Sequence, residues 1–192
     1  DYNAEMIAAG RERGSEPEAL NQLLAHVYSE LPARHAQLLK NIDGNMQDYM
    51  TYCSARSILC PKNVSVRHIN DKLIDALSGE AREYTSVDSV AAQELDPQIW
   101  PTEYLNSAEL PGFPSHSLRL KVGAVVMLLR NLAPERGLCN GSRLIVRAMH
   151  NTYLECVIAA GQHAGDFVII PRIKLTSTNQ VVPFTLQRLQ FP

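Results

Sequence analysis

No stretch of this chain approaches the eighteen or more apolar residues that a membrane-crossing helix requires, and its start, DYNAEMIAAGRERGS, lacks the charged-then-apolar layout of a signal peptide. A soluble, intracellular chain with no membrane partner is the expectation. The cysteines, Cys53, Cys60, Cys139 and Cys156, include no C-x-x-C pair, so neither a zinc site nor a disulfide framework is encoded and buried reduced thiols are expected. None of the histidines has a second ligand at i+3 or i+4, and no metal site is expected. The phosphate-cradling pattern G-x-x-x-x-G-K-[ST] is also missing. The nearest glycine cluster, Gly137 to Gly141, runs into Ser142-Arg143, so no lysine is placed to reach a β- or γ-phosphate. This excludes a complete P-loop nucleotide hydrolase.

What is present is a core-forming composition, 45% apolar over 192 residues, enough for one domain or two small ones. The net charge of −2 conceals an asymmetry. Residues 1–117 carry nine Lys and Arg against seventeen Asp and Glu, or −8, whereas 118–192 carry nine against three, or +6. The basic set is Arg119, Lys121, Arg130, Arg136, Arg143, Arg147, Arg172, Lys174 and Arg188. It suits a phosphate backbone; the alternative is a solvated face of a small β domain.

The chain is organised around Leu118 to Val146. Ala124 to Leu129 is a six-residue apolar run whose β-branched Val125 and Val126 predict a strand buried on both faces, and Ser142 to Met149 predicts a second strand. Between them, Asn140-Gly141 reads as a tight turn because both residues tolerate positive φ, in a polar loop rich in main-chain donors of the kind that hold anions. Gly141→Ala should lower stability and displace the loop, whereas Arg143→Ala should leave stability nearly unchanged and, if Arg143 lines a DNA path, weaken binding.

Toward the N-terminus, Ser15-Glu16-Pro17-Glu18 is a capping box that opens a helix over Leu20 to Tyr28 ending near Pro32, and His35 to Asn45 holds a short helix before Gly44. A short apolar strand, Ser57 to Cys60, stops at Pro61, and Val66, Ile69, Leu73 and Leu77 then repeat at helical spacing up to a left-handed cap at Gly79. In a parallel α/β layer a ligand gathers at that strand-to-helix turn, which places Lys62 and Asn63 to touch one; the alternative is an ordinary exposed turn. Leu110 to Ser117 is an extended linker, and His116 has no acid at a readable spacing that would support nucleophilic chemistry. Tyr153–Ala159, Asp166–Pro171, Arg172–Leu175 and Val181–Leu186 are short β-branched segments that describe a small antiparallel sheet or barrel.

Several of these segments together resemble the Pif-type (petite integration frequency) DNA helicases, above all those encoded by Helitron transposons. The resemblance rests on LKVGAVVMLLRNL followed by GLCNGSRLIV, on Arg56-Ser57-Ile58-Leu59-Cys60-Pro61-Lys62-Asn63, and on Tyr84-Thr85-Ser86-Val87-Asp88-Ser89. Pro101-Thr102-Glu103-Tyr104-Leu105-Asn106-Ser107, Ile170-Pro171-Arg172-Ile173 and Pro183-Phe184 extend it. It covers about residues 50–192 well. It implies an α/β fold class: a partial RecA-like parallel α/β layer followed by a small antiparallel Src-homology-type β-barrel. Residues 1–49 would be a helical lead-in, 50–117 part of a second motor domain, and 118–192 a motor strand plus the inserted barrel, truncated at its end.

The implied activity is ATP-dependent, 5′-to-3′ DNA unwinding in repair, recombination or rolling-circle transposition. ATP and Mg²⁺ would be held by the first motor domain and no cofactor by this chain. Single-stranded DNA is the implied partner and a nuclear location is implied in a eukaryote, with Lys62, Asn63, Arg130, Asn140, Gly141 and Arg143 as contact rather than catalytic residues. The chain opens on Asp1 without an initiator Met and stops at Gln190-Phe191-Pro192, so it is expected to be a piece of a longer protein. A second reading stands beside this one: a non-catalytic binding module, a decayed transposon remnant whose barrel binds protein. Because the phosphate loop is missing, the purified chain should release no phosphate from ATP with or without DNA; DNA-stimulated turnover that survives repurification would contradict this.

Overall fold

The computed structural model describes residues 42–54, 63–91, 100–177 and 182–192. The first two helices are α1, Ile42–Ser54, and α2, Asn63–Ala76. β1, Arg82–Thr85, and β2, Val87–Val90, follow, then the short helix α3, Thr102–Ser107. The remaining strands are β3, Ser117–Leu120; β4, Val125–Met127; β5, Arg143–Met149; β6, Tyr153–Ile158; β7, Phe167–Pro171; β8, Ile173–Thr176; and β9, Leu186–Gln190. Every strand pair among the described residues is antiparallel, in sheets ordered β1-β3, β2-β9-β8 and β4-β5-β6-β7. The mostly antiparallel character expected of 118–192 is therefore observed. The strand expected at Ser57 to Cys60, which would have anchored a parallel layer, lies outside the described residues, as do the helices expected between Ser15 and Pro32. No described helix is long and apolar enough to cross a membrane.

The four-stranded sheet is a meander in which each strand pairs with its neighbour in sequence. Its inner face carries Leu144, Val146, Cys156, Ile158, Val168 and Ile170, all buried. Burial of each large aliphatic side chain contributes about 1.5–3 kcal/mol. A register shift between Val146 and Ala148 bends β5. β7 alternates strictly, with Phe167, Ile169 and Pro171 outward and Val168 and Ile170 inward.

Three expectations about elements are corrected. Ala124 to Leu129 forms only a three-residue strand, and it is not buried on both faces: Val125 and Met127 are 41% and 55% exposed. The reason is position, since β4 is an edge of an antiparallel sheet rather than the centre of a parallel one. Of the helix expected at His35 to Asn45, residues 35–41 lie outside the described residues; the described part, Ile42–Ser54, does not stop before Gly44 but runs through it to Ser54. Tyr49, Met50 and Cys53 stand at i, i+1 and i+4, and all three are buried in the main core, so tertiary burial outweighs the glycine. The last strand lies at Leu186–Gln190 rather than Val181 to Leu186. Pro183 has no amide to give a ladder, and Phe184 turns into a second core cluster with Val90, Leu105, Leu110 and Leu186.

β1 and β2 are consecutive yet join different sheets, β1 pairing with β3 and β2 with β9, so strand pairing crosses residue 117 twice. The corner between them, at Ser86, is held by polar groups. Asp88 receives two bonds from the Arg188 guanidinium, Nε to Oδ1 at 2.9 Å and Nη2 to Oδ2 at 2.7 Å, and both side chains are buried. Arg188 also donates to the carbonyls of Pro114 at 2.9 Å and Leu105 at 3.1 Å. Ser86 Oγ donates to Asp88 Oδ1 at 2.7 Å and lies 2.8 Å from His116 Nδ1. Gln190 Nε2 bonds the carbonyls of Tyr84 and His116, each at 3.0 Å. Leu110 to Ser117 is accordingly not a plain extended linker. It turns at Gly112, where Phe113 N–H donates to Leu110 O at 3.1 Å, and then delivers two carbonyls to this polar knot.

Removing one member of a buried ion pair strands the other, at roughly 3–5 kcal/mol. Arg188→Ala should therefore lower unfolding stability by about that amount in denaturant titrations, whereas Leu189→Ala, partly exposed on the opposite face of β9, should cost below about 1 kcal/mol. Equal losses would refute the assignment.

Candidate nucleic-acid interface

The loop between β4 and β5 is built from turn chemistry. A 3-10 turn at Pro134–Arg136 ends in Gly137 at φ +74°, and Ala133 bridges to Leu138. Leu138 N–H donates to Ala133 O at 3.1 Å, Cys139 N–H to Ser142 Oγ at 3.0 Å, and Asn140 N–H to Asn131 Oδ1 at 2.8 Å. Gly141 N–H bonds Leu128 O at 2.8 Å and Ser142 N–H bonds Cys139 O at 3.0 Å. The loop is ordered, as expected, but its consecutive amides from 138 to 142 all have internal acceptors. That corrects the expectation of an anion-holding loop, because no amide in that run remains to bind one.

Lys62 lies outside the described residues, and Asn63 is the first residue of α2. Asn140 and Gly141 form the exposed tip of the central loop, with Gly141 at φ +89° as the turn requires. Arg143 points inward: Nη1 and Nη2 donate to the carbonyls of Cys53 at 3.2 Å and Ser54 at 2.6 Å, the C-terminus of α1. A cation there satisfies end carbonyls and opposes the helix dipole. The expectation that Arg143→Ala would leave stability nearly unchanged is therefore overturned.

The same holds for much of the basic set. Lys121 is buried and donates to Leu77 O at 2.6 Å, just past the end of α2. Arg119 pairs with Asp75 at 2.5 Å, and Arg188 is in the polar knot. Four of the nine cations thus bind the protein's own oxygens.

Arg130 differs. It is half-buried, its guanidinium lies 5.2 Å from the centre of the Phe113 ring, and among the described residues it has no hydrogen-bond acceptor or ion-pair partner. A cation over an aromatic face is held without being neutralised. Gly112 turns beside it at φ +72°, where a Cβ would make only an ordinary contact with Nη1 at 4.0 Å. Phe113 also lines a cleft of about 1060 Å³, together with His116, Arg119, Met127 and Arg143. Sequence reading placed Arg130 among the contacts but missed Phe113, for which the only signal was one aromatic between two prolines.

Comparison with known proteins points to one family. Residues 103–149, which contain Phe113, Arg130, Asn140, Gly141 and Arg143, match the model "DNA helicase Pif1, 2B domain". The ATP-dependent DNA helicase PIF1 of Mus musculus is 39% identical over 88 residues, 46% of this chain, and the chain covers 12% of that relative's length. Among solved structures, unliganded Pif1 from Bacteroides sp is 26% identical, covers 69% of this chain and 37% of that one, and superposes with a TM-score of 0.46. Bacteroides Pif1 bound to ssDNA is 20% identical over 81% of this chain and 36% of that one, with a TM-score of 0.46. The chain thus carries a segment similar to the Pif1 helicases and spans about an eighth of the length of the curated relatives it matches.

Two glycines test the loop. At Gly141 a Cβ meets nothing within 4 Å, so Gly141→Ala should cost only the left-handed strain, about 1 kcal/mol. At Gly137 a Cβ would also stand 2.9–3.1 Å from His163, so Gly137→Ala should cost more. Arg143→Ala should cost about 1 kcal/mol or more through the bared α1 carbonyls. Thermal and denaturant unfolding of the three variants ranks them, and a Gly141→Ala loss exceeding that of Gly137→Ala would contradict the loop geometry.

Proposed function

We propose that this chain is part of an ATP-dependent, 5′-to-3′ DNA helicase of the Pif type, of the kind encoded by Helitron transposons, and that it supplies single-stranded-DNA-contacting surface to it. The match over residues 103–149 and the 39% identity to the mouse helicase support this reading. The observation that carries it is Arg130, a guanidinium held over the ring of Phe113, which lines the cleft, and without an acceptor of its own among the described residues. A phosphodiester supplies that acceptor, and the partly buried Phe113 ring beside it offers apolar surface to an unpaired base. ATP and Mg²⁺ belong, in this reading, to the part of the helicase that carries the P-loop, and the location is intracellular, nuclear in a eukaryote. Lys62, Asn63, Asn140 and Gly141 remain contacts proposed from the resemblance.

One observation favours the second reading, a protein-binding module. Val125, Met127, Phe167 and Ile169 are 41–55% exposed on the outer face of the four-stranded sheet, where an apolar partner could seat. Fluorescence titration of an oligothymidylate at several salt concentrations separates the two. Arg130→Ala should keep the wild-type melting temperature within a few degrees, weaken binding, and reduce the slope of log K against log salt by about 0.7, one single-strand phosphate contact. Unchanged affinity and slope in Arg130→Ala would remove the DNA reading and leave the module.

A further inference from the structure

A second guanidinium lacks an acceptor, on a different part of the fold. Arg172 lies between β7 and β8, where its backbone N–H donates to Thr152 O at 3.0 Å. Its guanidinium carbon lies 5.5 Å from the centre of the Tyr84 ring and 5.3 Å from that of Phe191, and those two rings meet edge to face at 5.0 Å. Arg82 approaches the Tyr84 ring as well, at 5.4 Å, but its nitrogens are engaged with Met149 O at 2.8 Å and with Asn151 Oδ1. Arg172 has no such engagement. Its Nε is buried without a partner, its two terminal nitrogens reach solvent, and no carboxylate among the described residues pairs with it. The buried Tyr84 hydroxyl has no acceptor for its proton among the described residues; burial pushes its pKa up, while the charge of Arg82 and its bond to the phenol, with the charge of Arg172, pull it down.

Two cations and two unused donors around one ring, with no anion, form an arrangement that is costly while empty. A polar atom left unpaired in a protein interior costs about 1–3 kcal/mol, and a fork of N–H donors matches the oxygens of a tetrahedral oxyanion. We propose that Arg172, with the Tyr84 hydroxyl behind it and Arg82 as the supporting cation, is a binding site for a phosphate-type oxyanion. The rings hold the guanidinium in place without neutralising it, so little side-chain entropy remains to be lost when the anion arrives. The phosphate can belong to a nucleic-acid backbone or be free in solution; the chemistry at Arg172 is the same. This inference does not rest on the helicase reading.

The test titrates the full chain with inorganic phosphate and, separately, with an oligothymidylate at matched ionic strength, following wild type, Arg172→Gln and Tyr84→Phe by calorimetry. Arg172→Gln should weaken binding of at least one probe by about tenfold or more, and Tyr84→Phe by a smaller factor. Removing an uncompensated cation should leave the melting temperature of Arg172→Gln unchanged or raised; should that variant fail to fold, Arg172→Lys, which keeps the charge and loses the fork, should fold and still bind several-fold more weakly. Loss confined to the oligonucleotide assigns the site to a nucleic-acid backbone, and loss for both probes to a general phosphate. Binding that is equal in wild type and Arg172→Gln, or absent for both probes, overturns the proposal.

Discussion

Asp88 and Arg188 stand 100 residues apart in sequence and form a two-bonded ion pair from which solvent is excluded. Closing so long a loop costs chain entropy, and a charge taken from water costs several kcal/mol more unless every polar atom finds a partner. The surrounding chain meets that condition. Carbonyls at the end of α3 and in the 110–117 turn take the remaining donors of Arg188, while Ser86 and His116 stand beside the carboxylate. The β1–β2 corner, the short helix and the last strand are thereby tied at one point, and the second core cluster of Val90, Leu105, Leu110, Phe184 and Leu186 packs beside it.

A similar economy governs the two long helices. α2 is followed by a cation from the segment after β3, Lys121, and α1 ends on a cation from β5, Arg143. Each basic residue does there what a C-terminal cap does, placing positive charge where backbone carbonyls have no helical partner. Four of the nine cations of the C-terminal part are thus tied to the fold. Two others, Arg130 and Arg172, are guanidiniums that lie over rings.

The elements with a simple period were legible in the sequence. Strands β5 to β8 fall within about a residue or two of their alternating apolar segments, and α2 follows from Val66, Ile69, Leu73 and Leu77. β9 was not legible, because its pattern is inverted: Arg188 and Gln190 point inward and Leu189 is exposed, an arrangement that makes sense only once Asp88 is known to face it. The exposure of Val125 and Met127 was hidden for a related reason, since an apolar run does not say whether its strand is central or an edge. The candidate site was legible as motifs but not as roles. Arg130 and Arg143 look equivalent in sequence, and only contact with α1 on one side and Phe113 on the other separates a cap from an uncompensated cation.

The most direct measurement of this account is the salt dependence of single-stranded DNA binding by the unmodified chain. Each phosphate contact contributes roughly −0.7 to the slope of log K against log salt on a single strand. With four of the nine basic residues bonded to the protein's own oxygens, at most five remain for phosphates and the slope should be no steeper than about −3.5. A slope near −6, as nine open cations would give, would contradict the assignment of those charges to the fold.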